Sequence, residues 1–236
     1  MYSILEHYLS TNHILMIGMI VTFILTFFLL EHPFSFLPSD QGRAFAVNGS
    51  LSKGKLRGVG FIFVLCFLIS SVLFLPLDVE YVIYGILLFA MMISGYLDDA
   101  SKTPWNEYKK GLIDLVISVV AVLTYMNFNS TTICFGADEI VIPKALFLIL
   151  GVILIWVSVN VTNCTDGVDG LCASLCSVTL LAFGVLFAPI LQKYAMANFL
   201  FLSVLFAYLY FNSSPSSMLM GDAGSRALDF ISRLSR

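Results

Sequence analysis

The stretch Ala145–Thr162 reads ALFLILGVILIWVSVNVT and carries no charge, and the eight residues after it, Asn163–Gly170, read NCTDGVDG. A run this long and this apolar suits a helix crossing a hydrocarbon core about 30 Å thick. The switch at its end is abrupt: two carboxylates, an asparagine and two glycines follow within one short loop, with no basic residue. Similar apolar runs lie near 12–30, 58–77, 80–97, 111–128, 172–189 and 195–211. With 145–162 they predict an all-α, polytopic membrane bundle of about seven transmembrane helices. No soluble domain or long linker interrupts them, so residues 1–236 read as one domain.

Composition agrees. Apolar types make up 59% of the 236 residues and charged types 11%, less than half of the roughly 25% usual in soluble domains. The net charge of −3 gives no reason to expect a nucleic-acid partner. The first thirteen residues hold no Lys or Arg and no small-residue cleavage site, which argues against a cleaved signal peptide. Cys66, Cys134, Cys164, Cys172 and Cys176 lack metal-ligand spacing and read as small apolar residues.

Basic residues set the expected orientation. With the N-terminus outside, the cytoplasmic segments 31–57, 98–110 and 212–236 hold Arg43, Lys53, Lys55, Arg57, Lys102, Lys109, Lys110, Arg226, Arg233 and Arg236; the outer segments hold Lys144 and Lys193. The second and third spans are then joined outside by a minimal link at 77–79. Asp114, one turn inside the fourth span, reads as a helix-entry residue at the interface. The spans otherwise lack the mid-depth ionisable groups that a transporter would need.

Four polar clusters fall on that one face. Asp98 and Asp99 end the third span as adjacent carboxylates, which suits a cation or a metal–pyrophosphate unit. Asn163, Asp166 and Asp169, with Gly167 and Gly170, form the loop after the fifth; helix capping explains one or two of them but not the set. Asn212 to Arg226 places Asp222 between Gly221 and Gly224. Lys53 to Gly60 combines cations with flexible backbone, a combination that suits phosphate. The convergence of Asp98, Asp99, Asp166, Asp169 and Asp222 points to a site for Mg²⁺ and a phosphorylated substrate.

The order and spacing of Leu97-Asp98-Asp99 with Lys102, Asn163-Cys164-Thr165-Asp166-Gly167-Val168-Asp169-Gly170-Leu171 and Met220-Gly221-Asp222-Ala223-Gly224-Ser225 resembles the polyprenyl-phosphate N-acetylhexosamine-1-phosphate transferases. The pattern is most like the phospho-N-acetylmuramoyl-pentapeptide transferases of peptidoglycan synthesis, and it runs from about residue 40 to 228. The resemblance implies an enzyme of the bacterial cytoplasmic membrane. Its partners would be UDP-N-acetylmuramoyl-pentapeptide and undecaprenyl phosphate, with lipid I and UMP as products and Mg²⁺ as cofactor; a homodimer is admitted. It implies Asp98, Asp99, Asp222 and Lys109 as catalytic, with Lys110 the alternative register, and Asp222 as the metal ligand. Lys53, Asn160, Asn163, Asp166, Asp169 and Asn212 would bind substrate.

The chain departs from the family at Lys55–Gly60, where a Thr-Pro-Thr-Met-Gly-Gly-like stretch is usual, and at Leu219, where many members place an aromatic. The family's last three helices and its late histidine loop have no counterpart. UDP-N-acetylglucosamine is therefore a rival sugar donor, an inactive binding or assembly protein is a rival role, and little turnover is expected of the chain as given.

Overall fold

The computed structural model describes residues 1–32, 34–40, 42, 52–101, 103, 105–135 and 138–234, with side chains left undescribed at 133–139 and 232–234. The short α1 (Tyr2–Leu5) precedes α2 (Thr11–Glu31), α3 (Gly60–Phe74), α4 (Val79–Asp99) and α5 (Glu107–Phe128). A two-stranded antiparallel hairpin, β1 (Thr132–Phe135) and β2 (Asp138–Val141), follows. Then come α6 (Lys144–Thr165), α7 (Leu171–Phe187), α8 (Gln192–Asn212) and α9 (Gly221–Leu234).

Every segment expected to span is helical. Among the described residues, α2, α4, α5, α6 and α8 are long and apolar enough to cross a membrane. The helices α3 and α7 are apolar but have 15 and 17 residues, short of the roughly 20 that a bilayer core requires. The five long helices make the protein a multi-pass membrane protein. Polar caps start two of the helices: Asp78 accepts from the Tyr81 backbone N–H ahead of α4, and Asn106 from that of Tyr108 ahead of α5. Large apolar side chains stay exposed along α2, α4, α5, α6 and α7, as lipid-facing surfaces should.

Two features were not expected. The β-hairpin at 132–141 is one. The other is α9, within the stretch 212–236 expected at the cytoplasmic surface. It is a helix of mixed polarity, and residues 221–231 are all buried. It packs against α3, α4, α6 and α7. At about 1.5 Å per residue its 14 residues reach about 21 Å. Asp114 is likewise no interfacial residue: it is buried and paired with Arg226 of α9. Burial of α9 is possible because its polar groups meet partners on the surrounding helices, as Thr162 Oγ1 does in donating to Asp229 at 2.7 Å.

Glycines open the slot for α9. A Cβ on Gly60 would collide with the backbone of Gly224, and one on Gly95 with the backbone of Asp222. A Cβ on Gly224 would stand 3.0 Å from Gly60 Cα and 2.9 Å from the Phe63 ring. The described cysteines Cys66, Cys164, Cys172 and Cys176 are all free thiols; the side chain of Cys134 lies outside the described residues.

Gly95→Ala should destabilise the protein by about 3 kcal/mol, the upper end of overpacking costs, because backbone must move rather than a side chain. Gly85→Ala, whose Cβ would meet only Leu68 Cδ2 at 3.8 Å, should be neutral. Thermal unfolding of the two variants in detergent checks the contrast.

Candidate functional site

The site forms where α4 ends and α5 and α9 begin. The extended segment before α3 lies alongside the one before α9: Leu219 N–H donates to Leu56 O at 2.8 Å, and Gly60 N–H to Met220 O at 3.0 Å. This pairing carries Arg57 into the cluster. Its Nε donates to Asp99 Oδ1 at 2.8 Å, and its Nη1 and Nη2 lie 3.4 Å from Asp40 and Asp222. Lys110 Nζ lies 2.7 Å from Asp98 Oδ2 and 3.2 Å from Asp222 Oδ2. Backbone donors complete the carboxylates: Trp105 N–H reaches Asp98 at 2.7 Å and Ala223 N–H reaches Asp99 at 3.1 Å.

An open cleft of about 380 Å³ lies over these groups, lined by Pro38, Ser39, Asp40, Gly42, Arg57, Asp98, Asp99, Ala100, Ser101 and Lys110. Four buried carboxylates, Asp40, Asp98, Asp99 and Asp222, face two cations, Arg57 and Lys110. Among the described residues the cluster thus carries an excess of two negative charges.

Charge compensation shows in the ionisation of its members. Burial opposes the charge on Asp222, yet the Lys110 ammonium and the Arg57 guanidinium outweigh it and hold its pKa below the ordinary value. Burial likewise opposes Arg57, while Asp99, Asp222 and Asp40 keep its pKa above the usual one. Both groups stay ionised at neutral pH.

A second polar group joins the loops after α6 and α8. Asp169 accepts from the Ser216 N–H at 3.0 Å and from its Oγ at 2.7 Å, and Lys55 donates to Ser216 Oγ at 2.8 Å. Slight desolvation is outweighed by the Ser216 bonds and by Lys55, so the Asp169 pKa is lowered. Asn212 ties the two loops: its Oδ1 accepts from Gly170 N–H and its Nδ2 donates to Met218 O, both at 3.0 Å. Asn163 accepts from Ser225 Oγ at 3.1 Å, and Asp166 is buried at the end of α6.

The structure therefore gathers Asp98, Asp99 and Asp222 directly, and ties Asn163, Asp169 and Asn212 to the loops beside them. Asn160 is not among them: it is exposed and donates to Trp156 O on its own helix. Lys53 is exposed on its loop. Lys109 also departs from expectation, since its ammonium lies 3.2 Å above the Trp105 ring centroid. Consecutive helical residues point about 100° apart, so only one of the two lysines can face the carboxylates, and that one is Lys110. Lys102 lies outside the described residues.

Reading the residues alone missed Asp40 and left Arg57 without a role. Arg57 stood in a recognisably basic stretch, but nothing local shows that it will meet carboxylates 42 and 165 residues further on. Asp40 carried no signal.

Among the described residues no three carboxylate, thiol or imidazole groups stand ready-arranged around a metal. The donors nonetheless fit one. Asp98 and Asp222 converge on a single cation, the Lys110 ammonium, and carboxylate oxygens are the ligands that hard divalent cations take.

A helical membrane bundle with a carboxylate–cation cluster at one end defines the class. Comparison with known proteins makes it specific. Residues 81–234 match the profile of glycosyl transferase family 4, and the chain belongs to that family. It is 34% identical to the phospho-N-acetylmuramoyl-pentapeptide-transferase of Treponema pallidum over 91% of this chain and 65% of that protein. The proteins of the same name from Dictyoglomus turgidum and Microcystis aeruginosa are 27% and 31% identical. These alignments cover 94% and 72% of this chain, and 74% and 50% of those relatives. The chain thus spans less than two thirds of the Treponema protein's length.

Lys110→Met should destabilise the protein by about 2 kcal/mol, since Asp98 and Asp222 lose a shared charged donor. Lys109→Met gives up only a cation–π contact worth about 0.5–1 kcal/mol. Thermal midpoints in metal-free buffer should separate the two, with the larger fall at Lys110.

Proposed function

We propose that the protein transfers a sugar-1-phosphate from a UDP-sugar to a polyprenyl phosphate, releasing UMP. The donor would be UDP-N-acetylmuramoyl-pentapeptide and the acceptor undecaprenyl phosphate, giving lipid I in peptidoglycan synthesis. The observation that carries this reading is the cluster of buried carboxylates with two cations at one end of an apolar bundle. It offers a polar cleft to a soluble anionic substrate next to the surface where a lipid phosphate would lie. The names of the relatives support the chemistry, and the ten-to-two basic-residue bias supports a cytoplasmic cleft.

Roles follow from charge and position. Asp222 and Asp98 would hold Mg²⁺. Bound there, the ion would neutralise the pyrophosphate and stabilise the departing UMP. Arg57 and Lys110 line the cleft and would present donors to the phosphates' oxygens. Asp99 is fixed by Arg57 and the Ala223 N–H, which orients its carboxylate at the cleft. Lys55, Asp169 and Ser216 tie the loops that would receive the nucleotide sugar. The remaining substrate-binding assignments, Asn163, Asp166 and Asn212, support those loops.

Membranes carrying the chain should exchange labelled UMP into UDP-N-acetylmuramoyl-pentapeptide slowly but measurably, as expected of a chain with little turnover, dependent on undecaprenyl phosphate and Mg²⁺ or Mn²⁺. Asp222→Asn should lower that exchange by at least about 100-fold, the scale of losing a principal electrostatic group. Exchange undiminished in Asp222→Asn would remove that residue from the site. No exchange by the parent with either the pentapeptide donor or UDP-N-acetylglucosamine would count against the reading as a whole.

A further inference from the structure

The cluster at the mouth is continued inside the bundle by a second ion pair. Arg226 Nε lies 3.1 Å from Asp114 Oδ1, and Nη2 bonds to the same oxygen. Both residues are buried, at 1% and 2% exposure. Lys110 and Asp114 are four apart on α5, and Asp222 and Arg226 four apart on α9, so each pair occupies one helix face. Lys110 meets Asp222, and one turn deeper Asp114 meets Arg226. The two helices therefore run in the same direction and are joined by two rungs of opposite polarity.

We infer that Asp114 and Arg226 are positioning residues that fix the register of α9 and so present Asp222 to the cleft. That role in catalysis rests on the function proposed above. The alternation of sign supplies the discrimination. A slide of α9 by one turn, about 5.4 Å, would bring Asp222 against Asp114 or Arg226 against Lys110. Each is a like-charge contact in a poorly solvated interior, where an unmatched charge is costly. Were both rungs of the same polarity, the slid register would keep one attractive contact in place of a like-charge one. The buried pair thus adds specificity of position, a use of polar groups known from helix registers elsewhere.

Swapping the inner pair, Asp114→Arg with Arg226→Asp, keeps an attractive rung while removing the alternation. Register is read by disulfide formation between Thr162→Cys and Asp229→Cys in the full chain, its native cysteines replaced by alanine. Thr162 and Asp229 already touch through their side chains at 2.7 Å. The reporter pair should cross-link readily in the parent and several-fold more slowly in the swapped chain. Asp114→Glu should keep the parent rate. A folded swapped chain that cross-links at the parent rate overturns the inference. Should the swapped chain fail to fold, Asp114→Leu with Arg226→Met decides, since it removes the rung without stranding a charge. Slower cross-linking there supports the inference; the parent rate, or failure of this variant to fold as well, assigns the pair to stability alone and overturns it. In the exchange assay the Leu–Met chain should lose kcat with KM for the UDP-sugar unchanged. A parent that cross-links normally yet exchanges no UMP counts against the proposed function and leaves the register assignment standing.

Discussion

Asp222 and Arg226 stand one turn apart on a helix surrounded by four others, and neither could be buried there alone. An isolated charge in a medium that cannot hydrate it is expelled, neutralised or paired. Here each is paired: Asp222 with Lys110 and Arg57, Arg226 with Asp114. Much of the architecture answers to that requirement. The glycines at 60, 95 and 224 let the backbone of α9 approach α3 and α4 closely. The paired segments at 56–60 and 219–220 bring Arg57 to the carboxylates. The break between α4 and α5 returns the chain so that Lys110 faces Asp98.

On the proposed function, the resulting cluster would let a largely apolar chain act on anionic substrates. Its carboxylates outnumber its cations among the described residues, so a divalent ion would bring the cluster to neutrality. Its cations are positioned by carboxylates, so they are held in place before a phosphate arrives. The fold supplies both requirements at the end of a bundle, next to the surface at which a lipid phosphate would present itself.

Much of this was legible in the residues. The seven apolar segments are visible because a 20-residue run without charge has few other uses, and each one is helical. Asp98, Asp99 and Asp222 stood out because acidic groups do nothing for orientation. What stayed hidden has a common physical cause. Arg57, Asp40 and Lys110 find partners across long sequence separations, which no local pattern encodes. Lys109 and Lys110 differ only by the 100° step of a helix whose facing is set by its neighbours. The helix α9 was illegible for the reason that makes it informative: its composition reads as surface, and only partners on other helices permit its burial. Asp114 misled in the same way, since its partner lies 112 residues away.

The central claim is that Asp98, Asp222 and their cationic neighbours form the place where a divalent ion and a nucleotide sugar meet. Mn²⁺ binding to the purified protein, followed by electron paramagnetic resonance, tests it most directly. The account predicts one saturable Mn²⁺ site per chain, whose signal changes on addition of the UDP-sugar. That site should be lost in Asp222→Asn and retained in Asp169→Asn, whose carboxylate serves the loops. Mn²⁺ binding that is unaltered by Asp222→Asn, or abolished only by Asp169→Asn, would contradict it.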